Sequence, residues 1–125
     1  MSQQTILYIE DNEYNRKIVR QLFSRTSYRL IEAVDGEAGV ALAQQELPSL
    51  ILMDVQLPKM SGLDATRALK ADPRTTHIPV IVITSFALSG DREKAAEAGA
   101  VSYLAKPYSP RELLALVREY LPVAG

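Results

Sequence analysis

Residues 50–54 of the chain read Leu50-Ile51-Leu52-Met53-Asp54, four apolar residues followed by an aspartate. A run of this kind is typical of a β-strand that is buried on both faces, as the strands of a parallel sheet are. Four other short runs follow a similar plan. The five predicted strands are Thr5–Glu10, Tyr28–Ala33, Leu50–Asp54, Val80–Thr84 and Val101–Ala105. The second run is more mixed in polarity, which favours a position at an edge of the sheet.

Longer stretches with apolar residues at helical spacing separate these runs. Residues that favour helix starts or stops bound them. The first predicted helix begins after Asn12 and the second near Asp35-Gly36. The third runs from Leu63 to Ala71, before Asp72-Pro73, and the fourth lies between Ser89 and Gly99. The fifth begins at Ser109-Pro110, where Glu112 completes a capping box. Five β-α units in strict alternation predict a doubly wound α/β domain, a parallel sheet with helices on both faces.

The length of 125 residues predicts one domain that spans residues 1–125. The chain has no cysteine and one histidine, which excludes disulfide frameworks, thiolate metal sites and multi-histidine centres. Its 14 basic and 15 acidic residues argue against a nucleic-acid partner. No apolar run approaches the roughly 18 residues of a membrane span, and no signal peptide is recognisable. We therefore expect a cytoplasmic protein.

Polar residues stand at the carboxyl ends of the predicted strands, where open α/β sheets bind their ligands. The first strand ends in Glu10-Asp11, the third in Asp54 and the fourth in Thr84-Ser85, while Lys106-Pro107 follows the fifth. Neighbouring strands lie about 4.8 Å apart. If the first and third strands are neighbours, their three carboxylates share one small pocket.

Three carboxylates in one pocket repel each other unless a cation joins them. All-oxygen ligands suit Mg²⁺ or Mn²⁺, and Mg²⁺ commonly takes one or two carboxylates together with a phosphate oxygen. A phosphoryl group bound there would accept a hydrogen bond from Thr84 and a charge-assisted one from Lys106. An aspartate in this setting, Asp54, can act as a nucleophile and form an acyl phosphate.

Each of these residues also has an ordinary structural role, such as a helix cap, a strand threonine or a surface lysine. The convergence of four strand ends favours a site over four unrelated roles. A flavodoxin-type or dinucleotide site needs a small or glycine-rich loop after the first strand, and the acidic segment 10–13 would repel an unmetallated phosphate. No P-loop motif is present.

Taken together, these motifs resemble the receiver domains of two-component response regulators over essentially the whole chain. The matching features are Glu10-Asp11, the segment Met53-Asp54-Val55-Gln56-Leu57-Pro58-Lys59-Met60-Ser61-Gly62, Thr84-Ser85 and Lys106-Pro107. The run Asp11-Asn12-Glu13, followed by Asn15-Arg16, also resembles that of receivers attached to hybrid kinases and of stand-alone relay receivers, which share the fold of chemotaxis regulators.

The resemblance implies a strand order of 2-1-3-4-5 and a phosphoryl group accepted by Asp54 from a phosphohistidine of a sensor histidine kinase or phosphotransfer protein. It implies that Mg²⁺ is held by Glu10, Asp11, Asp54 and the backbone carbonyl of Gln56. It further implies that Thr84 and Lys106 contact the phosphoryl oxygens and that the Lys106–Pro107 bond is cis.

The resemblance also implies a route by which phosphorylation is sensed. Tyr103 stands where the family has an aromatic switch residue, which turns inward as Thr84 moves. The affected surface would be that of helix four, strand five and helix five, the expected docking face of a downstream effector protein. Gln56 and Phe86 would flank the path of the attacking water, and a bulky Phe86 would slow hydrolysis.

Two other functions use similar residues. A small Mg²⁺-dependent phosphatase with an aspartyl nucleophile typically has a second aspartate two residues later, where this chain has Gln56. A pseudo-receiver scaffold would never carry phosphate, and the presence of Asp54, Thr84 and Lys106 argues against it. No output domain follows the predicted fifth helix, so we expect no DNA-binding or cyclase activity to be encoded in these residues.

Overall fold

The computed structural model describes residues 3–84 and 91–122, over which strands and helices alternate as the sequence predicts. The elements are β1 Thr5–Ile9, α1 Glu13–Phe23, β2 Arg29–Ala33, α2 Gly36–Glu46, β3 Leu50–Asp54, α3 Gly62–Ala71, β4 Val80–Thr84, α4 Asp91–Ala98, β5 Ser102–Ala105 and α5 Pro110–Tyr120. The predictions that concern Ser85, Phe86 and Ser89 lie outside the described residues.

All pairings among the described strands are parallel, and their order in the sheet is β2-β1-β3-β4-β5. This confirms the predicted fold class and the edge position of β2. The strand β1 lies between β2 and β3, with Ile9 opposite both Ala33 and Met53. Asp54 lies opposite Ile83 of β4, and Thr84 lies opposite Ala105 of β5.

Three predicted strand bounds differ by one residue from those in the structure. β1 ends at Ile9, whereas β2 and β5 begin at Arg29 and Ser102. The Glu10 amide still donates to Ala33, but its carbonyl oxygen accepts a hydrogen bond from the Arg16 guanidinium at 2.9 Å. The pairing of β1 with β2 therefore ends at Glu10, because the Arg16 side chain and not β2 donates to its carbonyl oxygen.

Polar side chains cap the starts of α1, α2, α3 and α5. The Asn12 side chain accepts from the Asn15 amide at 2.9 Å, and Asp35 accepts from Ala38 at 2.8 Å. Ser109 forms the predicted reciprocal capping box at the start of α5. The third helix begins one residue earlier than predicted, at Gly62, because Ser61 caps it.

Alternate side chains of the strands pack into two apolar layers on opposite faces of the sheet. The layer that contains Ile6, Tyr8 and Leu52 packs against α1 and α5. The layer that contains Leu7 and Ile51 packs against α2, α3 and α4. Both faces are covered, so the carboxyl edge of the sheet is where polar side chains can gather. Within the described ranges no helix is long and apolar enough to cross a membrane.

Candidate functional site

The carboxylates of Glu10, Asp11 and Asp54 lie together at the carboxyl edge of β1 and β3. One carboxylate oxygen from each residue lies within 4.8 Å of the others. Glu10 and Asp54 are only 1% and 4% exposed, whereas Asp11 is exposed. The proximity predicted from adjacent strands is therefore present, and two of the three carboxylates are held away from bulk water.

Lys106 places a positive charge between the two buried carboxylates. Its Nζ lies 3.2 Å from Glu10 Oε1 and 3.2 Å from Asp54 Oδ2. Burial of the lysine side chain works to lower its pKa, but the attraction of Asp54 and then of Glu10 outweighs this effect and raises the pKa above its usual value. The ammonium group therefore stays charged at neutral pH.

Glu10 is fixed by hydrogen bonds from both of the elements that flank it. Its Oε1 accepts from the Tyr8 hydroxyl at 3.3 Å and from Asn15 Nδ2 at 3.3 Å, in addition to Lys106. Its Oε2 accepts from the Asn12 amide at 3.2 Å. Sequence reasoning did not single out Tyr8, although residues two apart on a strand share a face and this spacing could have shown it.

Tyr8 also reaches the segment that follows β5. Its phenol lies close enough to that of Tyr108, two residues after Lys106, for the two groups to influence each other's pKa. Burial is the main cause that raises the pKa of both phenols, so both keep their protons at neutral pH. Lys106–Pro107 is a cis peptide bond, as the resemblance implied.

The backbone after β3 folds back over Asp54. The Gln56 amide donates to Asp54 Oδ1 at 3.0 Å, and the Gly62 amide donates to the Val55 carbonyl at 2.9 Å. A Cβ atom on Gly62 would lie 2.0 Å from the Asp54 carbonyl oxygen. Glycine is therefore required there to let the start of α3 approach the site. Gln56 itself is exposed.

Thr84 and Tyr103 belong to the neighbouring strands β4 and β5. Thr84 is buried, and its carbonyl accepts from the Lys106 amide at 2.7 Å. Tyr103 lies opposite Val82, so Thr84 and Tyr103 occupy the same face of the sheet, two positions apart. The Arg92 guanidinium of α4 lies 5.6 Å from the centroid of the Tyr103 ring, a cation–π contact.

The donor set of this edge suits a hard divalent cation. Three carboxylates converge on one place, and Lys106, which contacts two of them, offsets one of the three negative charges. Oxygen ligands of this kind favour Mg²⁺ or Mn²⁺ over softer metals. The same edge offers an ammonium group beside Asp54, which suits an anion with several acceptor oxygens.

Comparison with known proteins agrees with the fold and the motifs. The family model of the response regulator receiver domain matches residues 6–118. The polar-differentiation response regulator DivK of Brucella anthropi is 40% identical over 117 residues, which are 94% of this chain and 95% of that protein. The DivK protein of Brucella ovis shows the same identity and coverage.

Two solved structures share the fold of this chain. The receiver domain of the sensor histidine kinase PA1611 from Pseudomonas aeruginosa PAO1 is 34% identical, with a TM-score of 0.89 over 98% of this chain and 100% of that chain. That receiver domain has a magnesium ion coordinated in its active site cleft. The chemotaxis protein CheY4 of Vibrio cholerae is 24% identical, with a TM-score of 0.89 over 95% of this chain and 99% of that chain, and this match concerns the fold.

Proposed function

The chain belongs to the response regulator receiver domain family of two-component signalling, and from this membership we propose that Asp54 accepts a phosphoryl group from a phosphohistidine. The donor would be a sensor histidine kinase or a histidine phosphotransfer protein. The observation that carries the proposal is the position of Lys106, whose Nζ lies 3.2 Å from both Glu10 and Asp54 beside a cluster of three carboxylates.

Glu10, Asp11 and Asp54 would hold Mg²⁺, together with the backbone carbonyl of Gln56. The three carboxylates supply oxygen ligands within 4.8 Å of one another, which fits this ion. Bound Mg²⁺ would neutralise negative charge on the transferring phosphoryl oxygens. The magnesium ion in the cleft of the Pseudomonas receiver domain supports this assignment.

The reaction would form an acyl phosphate on the Asp54 side chain. A carboxylate oxygen of Asp54 attacks phosphorus, the bond between phosphorus and the donor imidazole nitrogen breaks, and the imidazole leaves with the electron pair of that bond. Lys106 would then donate to a phosphoryl oxygen, since its ammonium already lies beside Asp54. Thr84 would donate its hydroxyl hydrogen to the same group.

Phosphorylation would change the surface formed by α4, β5 and α5. A phosphoryl group adds negative charge and acceptor oxygens at Asp54, which would draw Thr84 toward it. Tyr103 would then turn toward the space that Thr84 vacates, and its contact with Arg92 would change. A downstream effector protein would bind this face, where Lys94 and Arg118 add further charges.

The direct test is incubation with Mg²⁺ and acetyl phosphate, followed by intact mass spectrometry. We expect a gain of one phosphoryl group, its loss in Asp54→Asn and its absence with a chelator. Asp64→Asn, which removes an exposed aspartate of α3, is the control that should be labelled like the wild type. Labelling that persists undiminished in Asp54→Asn would contradict the proposal, and steady turnover of a phosphomonoester would favour a phosphatase instead.

A further inference from the structure

The Glu10 carboxylate receives hydrogen bonds from residues that have no place in the phosphoryl chemistry described above. Tyr8, on β1, is 1% exposed and donates to Oε1 at 3.3 Å. Asn15, on α1, donates to the same oxygen at 3.3 Å. Side chains from two different elements therefore donate to the Glu10 carboxylate, which the proposed function places among the magnesium ligands.

These two donors leave the carboxylate little freedom to rotate. Oε1 accepts from Tyr8, Asn15 and Lys106, while the Asn12 amide holds Oε2 at 3.2 Å. The Tyr8 side chain is also buried in the apolar layer that contains Ile6 and Leu52, so it is itself held in place. A donor whose own position is fixed can in turn fix the orientation of the group to which it donates.

We propose that Tyr8 and Asn15 are positioning residues, which hold the Glu10 carboxylate in the orientation that binds Mg²⁺. This inference rests on the proposed function of the acidic site. Partners that orient a metal ligand raise metal affinity, and their loss typically lowers it by about 10- to 100-fold. Neither residue contacts Asp54, the phosphoryl acceptor. Each substitution should therefore change the affinity for Mg²⁺ more than the rate of labelling at saturating Mg²⁺.

The test compares Tyr8→Phe and Asn15→Ala with the wild-type chain. Tyr8→Phe removes one hydroxyl and keeps the ring, while Asn15→Ala keeps the backbone amide that Asn12 caps. Two readouts are measured: the Kd for Mg²⁺ by calorimetry, and the rate of labelling by acetyl phosphate over a range of Mg²⁺ concentrations. Circular dichroism verifies folding first, and Asn15→Ala alone decides the question if Tyr8→Phe does not fold.

We expect the Kd and the half-saturating Mg²⁺ concentration to rise by about tenfold in each variant. The labelling rate at saturating Mg²⁺ should stay within about twofold of the wild type. Tyr28→Phe is the matched control for the tyrosine, because Tyr28 is also buried but donates to the Leu121 carbonyl. Lys17→Ala on the exposed side of α1 is the control for Asn15. Both controls should bind Mg²⁺ like the wild type.

Wild-type Mg²⁺ affinity in the folded variants would overturn the inference and leave the proposed function standing. A fall in the saturated rate without a change in half-saturation would overturn it as well, because the residues would then act on the chemistry. If the wild-type chain itself binds no Mg²⁺, the proposed function fails and the inference fails with it.

Discussion

At the scale of single residues, Lys106 connects parts of the chain that are remote in sequence. Its Nζ bonds to Glu10, 96 residues away, and to Asp54, 52 residues away. The lysine contacts both carboxylates, and its protonated ammonium group has no lone pair with which to bind a metal. Its loss should therefore affect the response to phosphate more than the binding of the metal.

We expect Lys106→Ala still to bind Mg²⁺, because the lysine supplies none of the three carboxylates that would hold the ion. Phosphorylation should no longer shift the amide resonances of α4 and β5, because the cation that would contact the phosphoryl oxygens is gone. The measurement is an amide NMR spectrum with and without beryllofluoride, with Lys17→Ala as the control. A variant that responds like the wild type would mean that Lys106 is only a surface lysine.

Arg92 is expected to influence the conformation of Tyr103. The guanidinium lies 5.6 Å from the ring centroid, and exposed cation–π contacts contribute about 0.5–1 kcal/mol. Arg92→Ala should therefore favour the inward position of Tyr103 by roughly two- to fivefold. The populations can be measured from the NMR signals of the Tyr103 ring in the unphosphorylated chain. Arg92→Lys keeps a cation and should change them less, and equal populations in all three chains would contradict the prediction.

At the scale of elements, the start of α5 lies directly beside the site. The capping box joins Ser109 to Glu112, with each side chain 3.1 Å from the other residue's amide nitrogen. Ser109 is three residues after Lys106, so this cap holds the end of the segment that carries the lysine and Tyr108. The cap therefore fixes where α5 begins, three residues after Lys106.

Ser109→Ala should lower the free energy of unfolding by about 1 kcal/mol, because it leaves an amide of the first turn without its acceptor. Urea denaturation monitored by circular dichroism measures this change. Ser27→Ala is the control, since Ser27 is exposed and caps no helix. A loss in Ser109→Ala no greater than that in Ser27→Ala would show that the cap is not stabilising.

At the scale of the whole molecule, burial makes stability depend on alkaline pH. Burial raises the pKa of the phenols of Tyr8, Tyr28 and Tyr108 above the ordinary value of 10.0. Below that pH both the folded and unfolded chains keep these protons. Above it the unfolded chain releases them first, which stabilises the unfolded state.

The free energy of unfolding should therefore fall above about pH 10, by at most about 1.4 kcal/mol per pH unit for each such group. Urea titrations over a series of pH values measure the decline. Tyr28→Phe should lower stability at neutral pH, because the Leu121 carbonyl loses its donor, and should make the alkaline decline shallower. Ser27→Ala removes no titratable group and is the control, so it should leave the decline unchanged. A decline equally steep in Tyr28→Phe would contradict this account.

The amino-acid pattern by itself determined the five strands and five helices of the described ranges, within one residue at the strand bounds that differ. Local chemistry is sufficient for this. Runs such as Leu50–Asp54 suit buried strands, and Asn12, Asp35 and Ser109 cap helices through side chains close to them in sequence. Strict alternation also determined the parallel sheet, since each crossover needs a helix. The family resemblance was confirmed by the match over residues 6–118.

Only the tertiary structure decided which groups surround each site residue. The pattern of residues left open whether β1 lies beside β3; the family resemblance implied the strand order 2-1-3-4-5, and the structure confirms it and so brings Glu10 and Asp54 together although 43 residues separate them. The bonds of Tyr8, Asn15 and Lys106 to a single oxygen of Glu10 arise from three different elements or segments. A hydrogen bond depends on distances of about 3 Å between atoms, and contacts between remote residues are set by packing, which no local pattern of residues records.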